Sequence, residues 1–105
     1  IVIAGRNHYP ADIERTVAEA TDQVAHDGIA AFSVPGEDVE KLVILAERVG
    51  SADDAEVIEA ITKAVSSAHG VKPADVRILN QGDILRSSSG KIARKVNQKN
   101  YIAGK

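Results

Sequence analysis

Arg86-Ser87-Ser88-Ser89-Gly90-Lys91 is the stretch of this 105-residue chain best equipped for chemistry. Three serines and a glycine give mobility and hydrogen-bond donors, and Gly90 can adopt backbone angles that other residues avoid. The flanking arginine and lysine add positive charge. A loop of this kind suits delivery of an ammonium group to a phosphate or carboxylate, although composition alone also describes a solvated turn before a helix. It is not a phosphate-binding P-loop. That motif needs glycine five positions before the second glycine and Ser or Thr after the lysine, and here those positions hold Leu85 and Ile92.

Gly5-Arg6-Asn7-His8-Tyr9-Pro10 is a second polar cluster, placed between an apolar run and a Pro-started helical pattern. It could line a site or simply turn the chain. Other candidates are weaker. His8, His26 and His69 show no metal-ligand spacing, and His26 and His69 are expected near helix C-termini, where an imidazole is favourable. The acidic pairs Asp53-Asp54 and Glu37-Asp38 fall in expected cap and turn positions, where solvation suffices. No Ser/His/Asp triad can be inferred from spacing, because triads are recognised by geometry.

The elements that must position these residues are readable from periodicity. Ile1-Val2-Ile3 reads as a short strand ended by a turn at Gly5-Arg6-Asn7. Pro10 opens a helix to about Thr21, with Asp12 and Glu14 suited to its positive end and Ile13, Val17, Ala20 and Val24 at helical spacing. Gly28–Val34 and Lys41–Glu47 read as antiparallel strands around Pro35-Gly36-Glu37-Asp38. A second helix begins at a Ser51/Asp54 capping box, with Asp53 as a competing cap. It carries Val57, Ile58, Ile61, Ala64, Val65 and Ala68 on one stripe and stops at Gly70. Val71-Lys72-Pro73 breaks the pattern, Val76–Leu79 reads as a strand, and Ile92 to Tyr101 as a short basic helix with Ile92, Val96 and Asn100 on one side. The expected fold is α+β: a compact small domain with a short, mostly antiparallel or mixed sheet and three helices packed against it.

Composition narrows the function classes. At 105 residues the chain is one domain. Cysteine is absent, which removes disulfides, thiolate chemistry and Cys-based zinc sites. Phe32, Tyr9 and Tyr101 are the whole aromatic complement, too few for a base-stacking platform. No apolar run approaches the ~20 residues of a membrane helix and no signal peptide is visible, so a cytoplasmic setting without membrane insertion is expected. Methionine is also absent, even at position 1, from which we expect a piece of a longer protein. Charge is segregated: residues 86–105 balance at +6 through Arg86, Lys91, Arg94, Lys95, Lys99 and Lys105, while residues 1–85 balance at −8. Such a split suggests a C-terminal segment that faces an anion. A small anion- or nucleic-acid-binding module is the rival from another class. The net charge of −2 and the few aromatics oppose it.

The two clusters together resemble signatures of the adenylate-forming enzymes, which include acyl-CoA synthetases, peptide-synthetase adenylation domains and luciferases. The matching runs are Gly5 to Glu14 and Arg86-Ser87-Ser88-Ser89-Gly90-Lys91-Ile92-Ala93-Arg94-Lys95. The first, with Ala31–Gly36 and Leu42–Glu47, looks like the fatty-acyl-AMP ligases, the mycobacterial type included. The resemblance lies in their small, mobile C-terminal (lid) domain and runs from Ile1 to about Tyr101. It implies that a fatty acid carboxylate attacks the α-phosphate of ATP, giving acyl-adenylate and pyrophosphate. Lys91 then matches the catalytic lysine, Arg86, Ser88, Ser89 and Gly90 its supporting loop, and Gly5, Arg6 and Asn7 the turn that faces the thiol-transfer site after the domain rotates. Leu85 stands where the family often has proline. The same resemblance implies a large N-terminal domain carrying the ATP and acyl sites, a hinge before Ile1, and Mg²⁺ in the full-length enzyme. It implies no metal ligand in these residues and an inactive isolated domain. An acyl carrier protein is the implied acceptor, with an acyl-CoA synthetase as the alternative.

Overall fold

The computed structural model describes residues 1–3 and 5–104. β1 (Val2–Ile3) and β2 (Arg6–Asn7) pair antiparallel, and α1 (Pro10–Ala20) follows. The chain continues through β3 (Val24–Val34), β4 (Lys41–Arg48), α2 (Asp54–His69), β5 (Asp75–Leu79) and α3 (Arg94–Ile102). β4 is the central strand of a three-stranded mixed sheet, antiparallel to β3 and parallel to β5. The expected α+β domain with three helices is therefore present. The expected first strand pairs with β2 in a separate two-stranded sheet.

Register explains the layering. Ala31 lies opposite Ile44 and Phe32 opposite Val43, so side chains alternate between two faces. Ile29, Ala31, Leu42, Ile44, Ala46 and Val76 point to one face and form a core with Ile13 and Val17 of α1 and Val57, Ile61 and Val65 of α2. Ala30, Phe32, Val43 and Leu45 point to the other, where Ile84, Ile92 and Tyr101 cover them. Leu42 to Ala46 is buried without interruption because both faces are covered.

Four local expectations change. Val24 continues the helical spacing of α1 but begins β3 opposite Arg48, because the helix closes at Thr21. His26 consequently lies within β3, not at a helix end. The Ser51/Asp54 capping box does not form: Asp53 is the N-cap without a side-chain bond, and Asp54 pairs with Arg48. α3 buries Asn97 while Val96 is exposed, so its inward side is one position removed from the Ile92/Val96/Asn100 side. Gly70 does end α2, in the left-handed conformation.

Candidate functional site

Residues 86–92 form a closed hairpin. Arg86 and Ile92 make an antiparallel bridge. The Ser87 amide donates to the Lys91 carbonyl at 2.7 Å, and the Gly90 amide to the Ser87 carbonyl at 2.9 Å. Gly90 has φ +85°, a conformation that would strain any residue with a Cβ. The Ser87 and Ser89 hydroxyls lie 2.9 Å apart, and all residues from Ser87 to Lys91 are exposed. The run that looked like a mobile serine loop is thus a tight turn with a defined base.

Arg86 and Lys91 differ in engagement. The Arg86 guanidinium donates to Glu47 Oε1 at 2.9 Å and Oε2 at 3.3 Å, and also to the Asp27 carbonyl at 3.1 Å. Glu47, 3 % exposed at the end of the buried run of β4, further accepts the amides of Gly82 at 2.8 Å and Ile84 at 3.1 Å. The Arg86 guanidinium, assisted by those amides, holds the Glu47 carboxyl below its ordinary value against the opposing effect of burial. Arg86 itself is pushed further up by the same bond. Lys91 makes no ion pair among the described residues. Of the two cations bracketing the motif, the lysine carries the free charge.

The hairpin base is fixed a second time by α3. The buried Asn97 side chain accepts the Leu85 amide at 3.0 Å and donates to the Leu85 and Ala93 carbonyls at 3.0 and 2.9 Å. Arg94 of α3 reaches Glu14 of α1 through two bonds of 2.9 and 2.7 Å, and Glu14 also accepts the Ala31 amide at 2.9 Å. Asp12 lies in the first turn of α1 as expected, whereas Glu14 lies past it and instead clamps α3 and β3 to the helix. The basic C-terminal segment therefore has two arginines turned inward, while Lys91, Lys95 and Lys99 remain exposed; Lys105 lies outside the described residues.

Gly5, Arg6 and Asn7 occupy the β1–β2 hairpin, where Gly5 has φ +79° and all three are exposed. The Arg6 guanidinium lies over Gly70, at the negative end of α2; a Cβ there would approach it to 2.6 Å. His8 is buried beside His69, ring centroids 6.5 Å apart, and His69 Nε2 is 2.7 Å from Thr16 Oγ1. Burial first, then Arg6 and His69, lowers the His8 pKa. No hydrogen bond or ion pair joins this cluster to the 86–92 hairpin among the described residues, but the two longer matching runs meet at their C-terminal ends, where Arg94 pairs with Glu14. Among the described residues no group of three or more His, Asp or Glu side chains converges as a metal site.

Sequence reading missed Glu47 and Asn97. A charged residue closing an apolar run in a strand was the available signal for Glu47. Asn97 had none beyond its helical spacing from Arg94 and Tyr101.

The family model of the Disco-interacting protein 2-like AMP domain matches residues 1–105. This chain belongs to that AMP-domain family. The long-chain-fatty-acid–AMP ligase FadD32 of Mycobacterium marinum is 35% identical over 99% of this chain and 20% of its own length. The putative fatty-acid–CoA ligase FadD21 of Mycobacterium tuberculosis is 41% identical over 90% of this chain and 17% of its own length. The structure of McyG A-PCP complexed with phenylalanyl-adenylate superposes with a TM-score of 0.89 at 25% identity, covering 99% of this chain and 19% of that one. The AMP domain spans about a fifth of the length of these relatives. The resemblance to adenylate-forming enzymes is borne out, and fatty-acyl-AMP ligases are among its relatives. No helix is long and apolar enough to cross a membrane, among the described residues.

Proposed function

We propose that this AMP domain is the mobile C-terminal domain of a fatty-acyl-AMP ligase and that Lys91 is its catalytic residue for adenylation. The observation that carries the reading is the free, exposed Lys91 on a hairpin whose base is held by buried polar contacts. A fatty acid carboxylate oxygen attacks the α-phosphorus of ATP, the bond to the bridging oxygen breaks, and pyrophosphate leaves with that electron pair. Negative charge gathers at the α-phosphate oxygens, and a compact ammonium delivered there lowers the barrier. Ser88, Ser89 and Gly90 shape the turn that presents it. ATP and the fatty acid lie on a large N-terminal domain, which also supplies any Mg²⁺ ligands; the present residues contribute none.

The β1–β2 hairpin, with Gly5, Arg6 and Asn7, serves the second step, in which a thiol attacks the acyl carbonyl and AMP leaves. An acyl carrier protein is the acceptor; the relative structure joining an adenylation domain to a carrier supports this reading. CoA is the alternative acceptor, favoured by the name of the FadD21 relative. Presenting the full-length ligase with CoA or with phosphopantetheinylated carrier protein separates the two by the thioester formed. The lysine assignment is tested by ATP–pyrophosphate exchange in the full-length ligase. Lys91→Ala should lower exchange by at least roughly 10²–10³-fold, as loss of one preorganised charge-stabilising group does. Near-normal exchange overturns the assignment.

A further inference from the structure

We propose that Glu47 is a positioning residue for adenylate formation, acting through Arg86 to fix the place from which Lys91 reaches the α-phosphate. The inference rests on the proposed role of Lys91 and adds a residue from a different element.

Glu47 stands on the central strand β4 on the hairpin-covered face, in register with Leu79 of β5. Its carboxylate is saturated by groups that lead into the hairpin: the Gly82 and Ile84 amides and both terminal nitrogens of Arg86. The site is built around that carboxylate. Gly28 leaves the space it occupies, since a Cβ there would lie 2.5 Å from Glu47 Oε1. Arg86 then bridges to Ile92, the residue after Lys91. Three consecutive links thus connect the middle of the sheet to the lysine backbone.

A partly buried ion pair such as this one is a weak source of stability, because desolvation offsets much of the attraction. Its planar, two-pronged geometry fixes direction instead. Direction matters at a reacting centre, where a displacement of about 1 Å costs on the order of 10²-fold in rate. A flexible lysine on a loose turn would have to find the α-phosphate anew at each domain closure. Anchoring its loop to β4 removes that search.

The test is a double-mutant cycle in the full-length ligase, read as ATP–pyrophosphate exchange. Glu47→Gln keeps the side-chain shape and removes the charge. It should lower kcat for adenylation by roughly 10–10²-fold while leaving the KM for ATP within about twofold, since it is geometry at the reacting atoms that is lost. On the residual rate of Lys91→Ala, the same substitution should cost less than about twofold, because groups acting as one unit are non-additive. Arg86→Lys, which keeps the cation and loses the fork, should behave likewise and serves if Glu47→Gln does not fold. An equal fold-loss whether Lys91 is intact or already replaced, or an unchanged kcat, overturns the positioning role. Near-normal exchange by Lys91→Ala alone would instead remove the catalytic reading beneath it.

Discussion

Glu47 and Lys91 show how one charged residue can be buried so that another stays free. The Glu47 carboxylate has four hydrogen-bond contacts at 3.3 Å or less, whereas Lys91 stands in solvent. Because Arg86 depresses the Glu47 pKa in the folded state, the unfolded chain binds the proton more readily. This contribution is complete above the unfolded glutamate value of about 4.3 and is lost as pH falls through the depressed folded value. Urea midpoints measured downward from about pH 5.5 should therefore fall, and Glu47→Gln should flatten that slope. An identical slope in both proteins would show that the carboxylate is not held by the pair. Lys91 was legible in the sequence because Gly90-Lys91 sits in a local motif. The Arg86–Glu47 pair was not, because its partners are 39 positions apart and meet only through strand register.

At the level of elements, α3 acts as the strap of the hairpin. Helical spacing located it to within two residues, but the apolar pattern chose the wrong side. The helix buries Asn97, whose side chain accepts the Leu85 amide and donates to the Leu85 carbonyl. Polar satisfaction outweighed the burial of Val96. Asn97→Ala should destabilise the domain by about 1–3 kcal/mol through the orphaned Leu85 amide. For a domain of this size each kcal/mol lowers Tm by roughly 4–8 °C. A melting temperature unchanged by the substitution would mean that water replaces the side chain. Val24 has a similar lesson: its spacing fits a helix, but pairing with Arg48 places it in β3. The buried strands and α2 were readable because their apolar runs are long and their stops, Gly36 and Gly70, are local.

For the whole molecule, the two hairpins rest on different supports although the runs that contain them meet at the Arg94–Glu14 pair. The β1–β2 hairpin rests against the end of α2 and the 86–92 hairpin against β3 and β4. On the proposed reading, a domain with two hairpins on different supports presents one and then the other by rotating as a body, without refolding either. The order of the two motifs was legible along the chain; the Arg94–Glu14 pair that joins their ends was not, since its partners lie 80 positions apart. This layout predicts that the two half-reactions can be damaged independently. Substituting Arg6 by Ala should slow thioester formation by roughly tenfold or more while leaving ATP–pyrophosphate exchange within about twofold. Loss of exchange instead would place that hairpin in the first step. The central claim is tested most directly by following both half-reactions of Lys91→Ala in the full-length ligase. Adenylation should fall by at least roughly 10²–10³-fold while a supplied acyl-adenylate still passes to the thiol acceptor at near-normal rate. Near-normal adenylation in that variant would contradict the account.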